Sequence, residues 1–364
     1  MDAYIGQFCS VLRAGLWNQV PEIEDLSVED MRHMWEDARK QAVSGLVAQA
    51  FLNTKRLGPK TSEMLQNKLM SIAAMNFKLS HILADSVKAL REAGIEPILL
   101  KGHGVASYYH QPLLRECGDI DLYVGTEQYR KAFDVLSETL TDIEDKEFEA
   151  AEKHSHIVVK GIPIELHQFS DVLPGRYNPD YQKISDESLS GSFGTVSVDG
   201  IEVETPEPTF NAFFVFNHFW RHFIAVGVGF RQVCDWVVLL HSCKDVIDRQ
   251  RLKGMLCKMD LIRPWKVFGY LAVNSLGLPV EEMPFYDGSF CKIADKVVAM
   301  MMKEGNFGHE REDRWSQSGH PLLDRVKDFI IITWRYVRML PSFGRLAMNE
   351  YFWRIFLIFD KPNR

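Results

Sequence analysis

From Val28 to Ala93 apolar residues return at three- and four-residue steps: Leu46, Val47, Ala50 and Phe51, then Leu65, Leu69, Ile72, Met75 and Leu79. That spacing lines one face of a helix, and Leu57-Gly58-Pro59 divides the stretch into two long helices. Gly94 stands where a helix C-cap favours a residue of positive φ, and Glu96-Pro97-Ile98-Leu99-Leu100 then reads as a short buried strand. Strand and helix patterns alternate over 95–204: a strand at Ile98 to Leu100, a helix from His103 to Tyr109, a strand at Ile120 to Val124 and a helix from Glu127 to Leu140. Ile157 to Lys160 and Pro163 to His167 read as two antiparallel strands. Thr195 to Val198 pairs with Ile201 to Glu204 across Asp199-Gly200, whose two turn positions both need positive φ. After Thr205-Pro206-Glu207-Pro208 the pattern is helical, in pieces broken at Gly227, Pro264, Pro279, Pro284 and Pro341.

The predicted architecture is therefore α+β, with an N-terminal helical region over 1–94, a mixed-sheet core over 95–204 and a C-terminal helical domain over 205–364. No self-similarity recurs at about 20–50 residues, which excludes a solenoid. Composition adds little: 364 residues, 46% hydrophobic and 25% charged, are ordinary globular values and exclude a disordered or fibrous chain. Charge adds more, because 42 Lys and Arg against 49 Asp and Glu leave a formal charge of −7. A protein that coats duplex DNA by neutralising phosphates leans the other way. The longest apolar or glycine run, Phe223 to Phe230, is far short of the roughly 18 residues that cross a bilayer. The opening MDAYIGQFCS has neither a basic start nor an apolar segment, so a cytoplasmic location is expected. Cys9, Cys117, Cys234, Cys243, Cys257 and Cys291 form no C-x-x-C pair and read as reduced thiols.

Chemistry concentrates in two places. Asp119 and Asp121 alternate with Ile120, Leu122 and Val124, so both carboxylates share one strand face, on the solvent side, while the apolar residues enter the core. Two acids on one face repel each other unless a cation sits between them, and hard oxygen donors suit Mg²⁺, with Mn²⁺ able to replace it. Just upstream, Lys101-Gly102-His103-Gly104 follows a strand and opens a helix. Free N–H groups around Gly102 and Gly104, with the Lys101 ammonium beside them, would cradle a phosphate. Two metals clamping a phosphoryl displacement call for a third carboxylate. Glu165 in Pro-Ile-Glu-Leu-His meets the requirement, with His167 on the same strand face and Arg115 in the loop before Gly118.

Leu99-Leu100-Lys101-Gly102, Arg115, Gly118-Asp119-Ile120-Asp121-Leu122 and Ile164-Glu165-Leu166-His167 follow one another in that order. Together they resemble the uncharacterised bacterial nucleotidyltransferases of the DNA polymerase β superfamily. The resemblance implies a mixed-sheet nucleotidyltransferase core, Mg²⁺ on Asp119, Asp121 and Glu165, and transfer of a nucleoside monophosphate from an NTP to an acceptor hydroxyl. Lys101, Gly102, Gly104, Arg115 and His167 would then hold the nucleotide. Two departures stand out: the wider superfamily has Gly-Ser or Gly-Gly where Lys101-Gly102 stands, and Asp is frequent where this chain has Glu165.

Other motifs carry less. His218 and His222 share a helix face but lack the intervening Glu of a metalloprotease, so that helix reads as an aromatic-rich wall over the cleft, its Arg221 and His222 packing there or, alternatively, one of them standing near a phosphate or base. Gly227-Val228-Gly229 lacks the preceding strand of a dinucleotide fold, and Arg231 and Asp235 read as a pair or, alternatively, as contacts to substrate. His154 and His156 read as solvated or structural. Gly-x-Ser-x-Gly and Gly-Lys-Ser/Thr are both missing, which removes common hydrolases and P-loop NTPases. The alternative to an enzyme is a catalytically inactive nucleotide-binding regulatory or interaction module. A metal-dependent phosphohydrolase would need a richer His/Asp cluster. The acceptor, whether small molecule, protein or RNA end, is not written in the motifs.

Overall fold

The computed structural model describes residues 2–22, 27–173, 175–310 and 321–360. The N-terminal region holds α1 (Ala3–Leu16), α2 (Val28–Lys40), α3 (Ser44–Asn53) and α4 (Pro59–Glu92). The helix expected to run unbroken from Val28 to Leu57 is thus two. Its break falls at Ala42, which takes φ +54° while the Val43 N–H bonds the Ala38 carbonyl at 2.9 Å. Glycine is the usual residue in that left-handed position, so the break left no mark in the sequence. Gln41 secures it, donating to the Met301 carbonyl at 2.8 Å and accepting from the Phe230 N–H at 3.2 Å.

The sheet region runs β1 (Ile98–Leu99), α5 (Lys101–Ala106), β2 (Ile120–Tyr123), α6 (Gly125–Thr139), β3 (Ile143–Glu147), β4 (His154–Val159), β5 (Ile162–His167), α7 (Asn178–Leu189), β6 (Phe193–Val198) and β7 (Ile201–Pro206). The strands form one mixed sheet in the order β3-β4-β5-β2-β1-β7-β6. β2 runs parallel to β5 and β1 parallel to β7, and the remaining pairs are antiparallel. The β6–β7 hairpin closes through Asp199 at φ +47° and Gly200 at φ +78°, as its two-residue Asp-Gly turn requires.

The two faces of the sheet have different fates. Ile120, Leu122, Ile157, Val159, Ile164 and Leu166 point to one side, where they are buried against Leu79, Leu83, Val87 and Leu90 of α4 and Tyr129, Phe133 and Leu136 of α6. By strand alternation, Asp121, His154, His156, Glu165 and His167 lie on the other side. That side looks toward a helical body made of α8 (Pro208–Ala225), α9 (Phe230–Ser242), α10 (Arg249–Lys258), α11 (Ile262–Asn274), α12 (Cys291–Glu304) and α13 (Pro321–Asp360).

α8 is apolar on nearly every side and is the axis of that body, with Phe216 packed against Trp236, Trp265 and Phe219. Its N-terminus is capped by Glu207, which accepts from the N–H groups of Thr209 and Phe210. Its last carbonyls are held by the buried Arg335 of α13, which bonds Ile224 O at 3.0 Å and also reaches Phe223 O. The N-terminal helices join this same core: the Phe8 and Phe230 rings lie 5.8 Å apart, and Trp17 Nε1 donates to the Leu276 carbonyl at 2.6 Å. Pro341 does not end a helix as expected; it lies inside α13, where Gly344 at φ +52° supplies the kink. Pro264 sits in the first turn of α11, where its missing N–H costs nothing. Among the described residues no helix is long and apolar enough to cross a membrane.

Candidate active site

The site begins with a register. In the parallel β2–β5 pair Asp121 lies directly across from Glu165 and Tyr123 from His167, and in the antiparallel β4–β5 pair His154 lies across from His167. Directly opposed residues on one face are the closest neighbours in a sheet. Strands distant in sequence thereby bring Asp121, Glu165, His167 and His154 together, and Asp119, one residue before β2, joins them. Carboxylate oxygens of Asp119, Asp121 and Glu165 all lie within 4.8 Å of one another.

The two aspartates are not equivalent. Asp119 is half-buried, but Asp121 is only 1% exposed, which corrects the expectation that both face solvent. Lys101 and His167 close over it: Lys101 Nζ stands 2.8 Å and His167 Nε2 2.9 Å from Asp121 Oδ1. Asp121 Oδ2 is buried with no hydrogen-bond partner. An orphaned carboxylate oxygen beside two further carboxylates is a donor set that a hard divalent cation fits.

Electrostatics agrees with a site built for charge. Burial pulls the Lys101 ammonium toward neutrality, yet Asp121, Asp119 and Glu165 outweigh it and the net shift is upward. Glu165 is pushed up by burial but held well below the usual carboxylate range by the His167 hydrogen bond and the Lys101 charge. Both stay ionised near neutral pH. His154 is driven down to about 4, chiefly by burial, and lies 3.6 Å from Glu165 Oε2.

The turn before the trio is strained. Lys101 takes φ +26° and Gly102 φ +45° with ψ −114°, a conformation glycine alone adopts without penalty. Space is not the constraint, because a Cβ on Gly102 would come no closer than 3.7 Å to the Asp119 carbonyl. Gly104 has a different part: inside α5, its Cβ position is 3.4 Å from both the Leu99 carbonyl and Thr205 Cγ2, so it lets the helix pack on the sheet rather than facing the cavity. Gly118 would carry a Cβ with nothing within 4 Å, so no close approach calls for glycine there.

Arg115 is a buried structural cation as well as a wall residue. Its Nε and Nη2 bond the two carboxylate oxygens of Asp235 at 2.7 Å each, and the Tyr109 hydroxyl donates to the same carboxylate at 2.7 Å. Asp235 therefore pairs with Arg115 and not with Arg231, whose Nη1 donates to the Glu116 carbonyl at 2.8 Å. The pair was invisible because its members are far apart in sequence.

These residues enclose a cavity of about 370 Å³ between the sheet and the helical body. Its sheet side shows Lys101, Gly102, Asp119, Lys153, His154 and Glu165. The opposite wall is Val215, His218, Phe219 and His222 of α8, with Arg231, Gln232 and Asp235 of α9. Lys153, His218, His222 and Phe307 also border a second cavity of about 600 Å³ whose wall includes Asp171 and Arg221. Asp171 is pushed up by burial but brought down to about 2 by Arg221, 2.8 Å away, and Lys153. Burial brings His222 down to about 4 and His218 well below the usual imidazole value. Of the residues singled out from sequence, Lys101, Gly102, Asp119, Asp121, Glu165, His167 and Arg115 converge here. Lys153 and Phe307 went unnoticed; neither belongs to a local motif, and only the fold delivers them.

Residues 27–277 match the model of a family described as uncharacterised nucleotidyltransferase. No curated protein and no solved structure matches the chain.

Proposed function

From the chain's membership of the uncharacterised nucleotidyltransferase family, we propose that it transfers a nucleoside monophosphate from an NTP to an acceptor hydroxyl in a reaction that depends on Mg²⁺ or Mn²⁺. One observation carries the reading: the Asp121–Glu165 register gathers three carboxylates beside the Lys101-Gly102 turn, at the foot of a cavity large enough for a nucleotide. Asp119, Asp121 and Glu165 would hold the cation, which when bound neutralises charge building on the phosphates.

The chain's own groups do the positioning. Asp121 is fixed from behind by Lys101 and His167, so its free oxygen needs no reorganisation to accept a ligand. Lys101 also brings a permanent positive charge to the phosphate side of the trio, and the positive-φ turn at Gly102 keeps the backbone low enough for a triphosphate to approach. Lys153 adds a second cation on the same wall. The adjoining cavity supplies space for the acceptor, whose hydroxyl oxygen would be held in line with the α-phosphorus. The new P–O bond forms at that oxygen, the α–β P–O bond breaks, pyrophosphate leaves and the hydroxyl proton passes to solvent. Water exclusion comes from α8, whose aromatic face covers the site.

The test is to incubate the purified protein with each NTP, Mg²⁺ or Mn²⁺, and a panel of small-molecule, protein and RNA-end acceptors, measuring pyrophosphate and the mass of every acceptor. The expected result is pyrophosphate release matched by one acceptor gaining a nucleotide, abolished in Asp119→Asn. NTP binding with no pyrophosphate from any combination would instead favour a nucleotide-binding module.

A further inference from the structure

Glu165 belongs to two constellations. Besides the acidic trio, its carboxylate stands with His154 and His167, and the donor atoms of those three residues also lie within 4.8 Å of one another. The chemistry of the second set differs: two imidazole nitrogens and one carboxylate oxygen are the donors of borderline transition metals, whereas an all-oxygen set suits Mg²⁺.

The spacing matches as well. His167 Nε2 is 3.3 Å and His154 Nδ1 3.6 Å from Glu165 Oε2; an ion there would displace the Nε2 proton that His167 shares with Asp121 Oδ1, because a ring nitrogen ligates a metal only through its free lone pair. With metal–ligand bonds of about 2.0–2.2 Å, neighbouring ligands on a tetrahedral ion stand about 3.4 Å apart. The His154 contact is not a hydrogen bond, since that buried Nδ1 has no hydrogen-bond partner. His154 and Glu165 both border the cavity, which leaves a fourth position open to water or substrate.

We propose that His154, Glu165 and His167 form a second metal site, selective for a borderline divalent ion such as Zn²⁺ or Co²⁺. Because Glu165 is common to both sets, an ion held by the histidines competes with one held by Asp119 and Asp121. The inference shares Glu165 with the function proposed above but concerns metal binding alone, and its test contains no nucleotide. A failure of nucleotidyl transfer therefore leaves it intact, and its own failure leaves that function intact.

The experiment titrates the full chain with Zn²⁺ by calorimetry, with and without excess Mg²⁺, for the wild type and for His154→Gln, His156→Gln and Asp119→Asn. His156 is the control, since its ring lies 4.6 Å from that of His154 but outside the donor set. One Zn²⁺ is expected per chain, weakened at least about tenfold by His154→Gln and little changed by the other two. Equal Zn²⁺ affinity in His154→Gln, or an equal loss in Asp119→Asn, would overturn the assignment, the second by placing zinc on the acidic trio. Co²⁺ added to the wild type reads the site without any substitution. Intense visible absorption from a four-coordinate ion supports the proposal, and the pale spectrum of a six-coordinate ion overturns it.

Discussion

Replacing Asp121 by Asn and, separately, Asp119 by Asn removes the same charge from two sites only one residue apart, yet the structure sets their effects on stability apart. Asp121 is 1% exposed and its Oδ1 is shared by Lys101 and His167, while the Lys101 side chain keeps 16% exposure. Removing one member of a buried ion pair costs about 3–5 kcal/mol because the other charge stays behind. Asp119 and Glu165 still face Lys101, which puts the cost at the low end, about 3 kcal/mol. With an unfolding entropy of about 2 cal/mol/K per residue over 364 residues, the melting temperature falls by about 4 °C. Asp119 makes no hydrogen bond or ion pair among the described residues, so Asp119→Asn should melt within about 1 °C of wild type. Both variants should lose Mn²⁺ affinity in calorimetry. Calorimetric melts of the three proteins decide the matter: equal melting temperatures for the two Asn variants would refute the buried-pair account.

Arg115→Lys keeps the charge but cannot span both oxygens of Asp235, so it should cost about 2–4 kcal/mol. A melting temperature equal to wild type would show that the paired geometry contributes nothing. Acid should destabilise the fold, because burial drives His103, His154 and His222 down to about 4 and His218 well below its ordinary value. The unfolded chain takes up protons near pH 6.5, before these folded sites do, so stability present at pH 7 is lost progressively as pH falls toward 4. Urea midpoints should drop between pH 7 and pH 5, less steeply in His222→Gln; a rising midpoint, or an unchanged slope in the variant, would contradict the assignment.

Much of the site was legible because its parts are local. Asp119 and Asp121 are two apart, and Lys101-Gly102 lies immediately after a strand, so alternation and turn chemistry were enough to single them out as one candidate site. Glu165 needed one more step, the requirement of the chemistry for a third acid. From sequence His154 reads as solvated or structural, because alternation tells which face a residue takes but not what stands opposite. The Arg115–Asp235 pair and the break at Ala42 escaped for related reasons: a side-chain partner 120 residues away leaves no periodic trace, and a left-handed alanine has no compositional signature.

What the chain determined alone follows from sterics and periodicity acting over a few residues. These are the helical faces, the Asp199-Gly200 hairpin, the glycine-dependent turn at Gly102 and the shared face of Asp119 and Asp121. Tertiary structure alone decided that β2 pairs parallel with β5 in the register opposing Asp121 to Glu165, that Asp121 is sealed by Lys101 and His167, and that N- and C-terminal helices share one core. Parallel pairing between remote strands is selected by burying Ile120, Leu122, Ile164 and Leu166 against α4 and α6, a collective property of the apolar face. The polar face simply inherits the register, and that inheritance brings the carboxylates together.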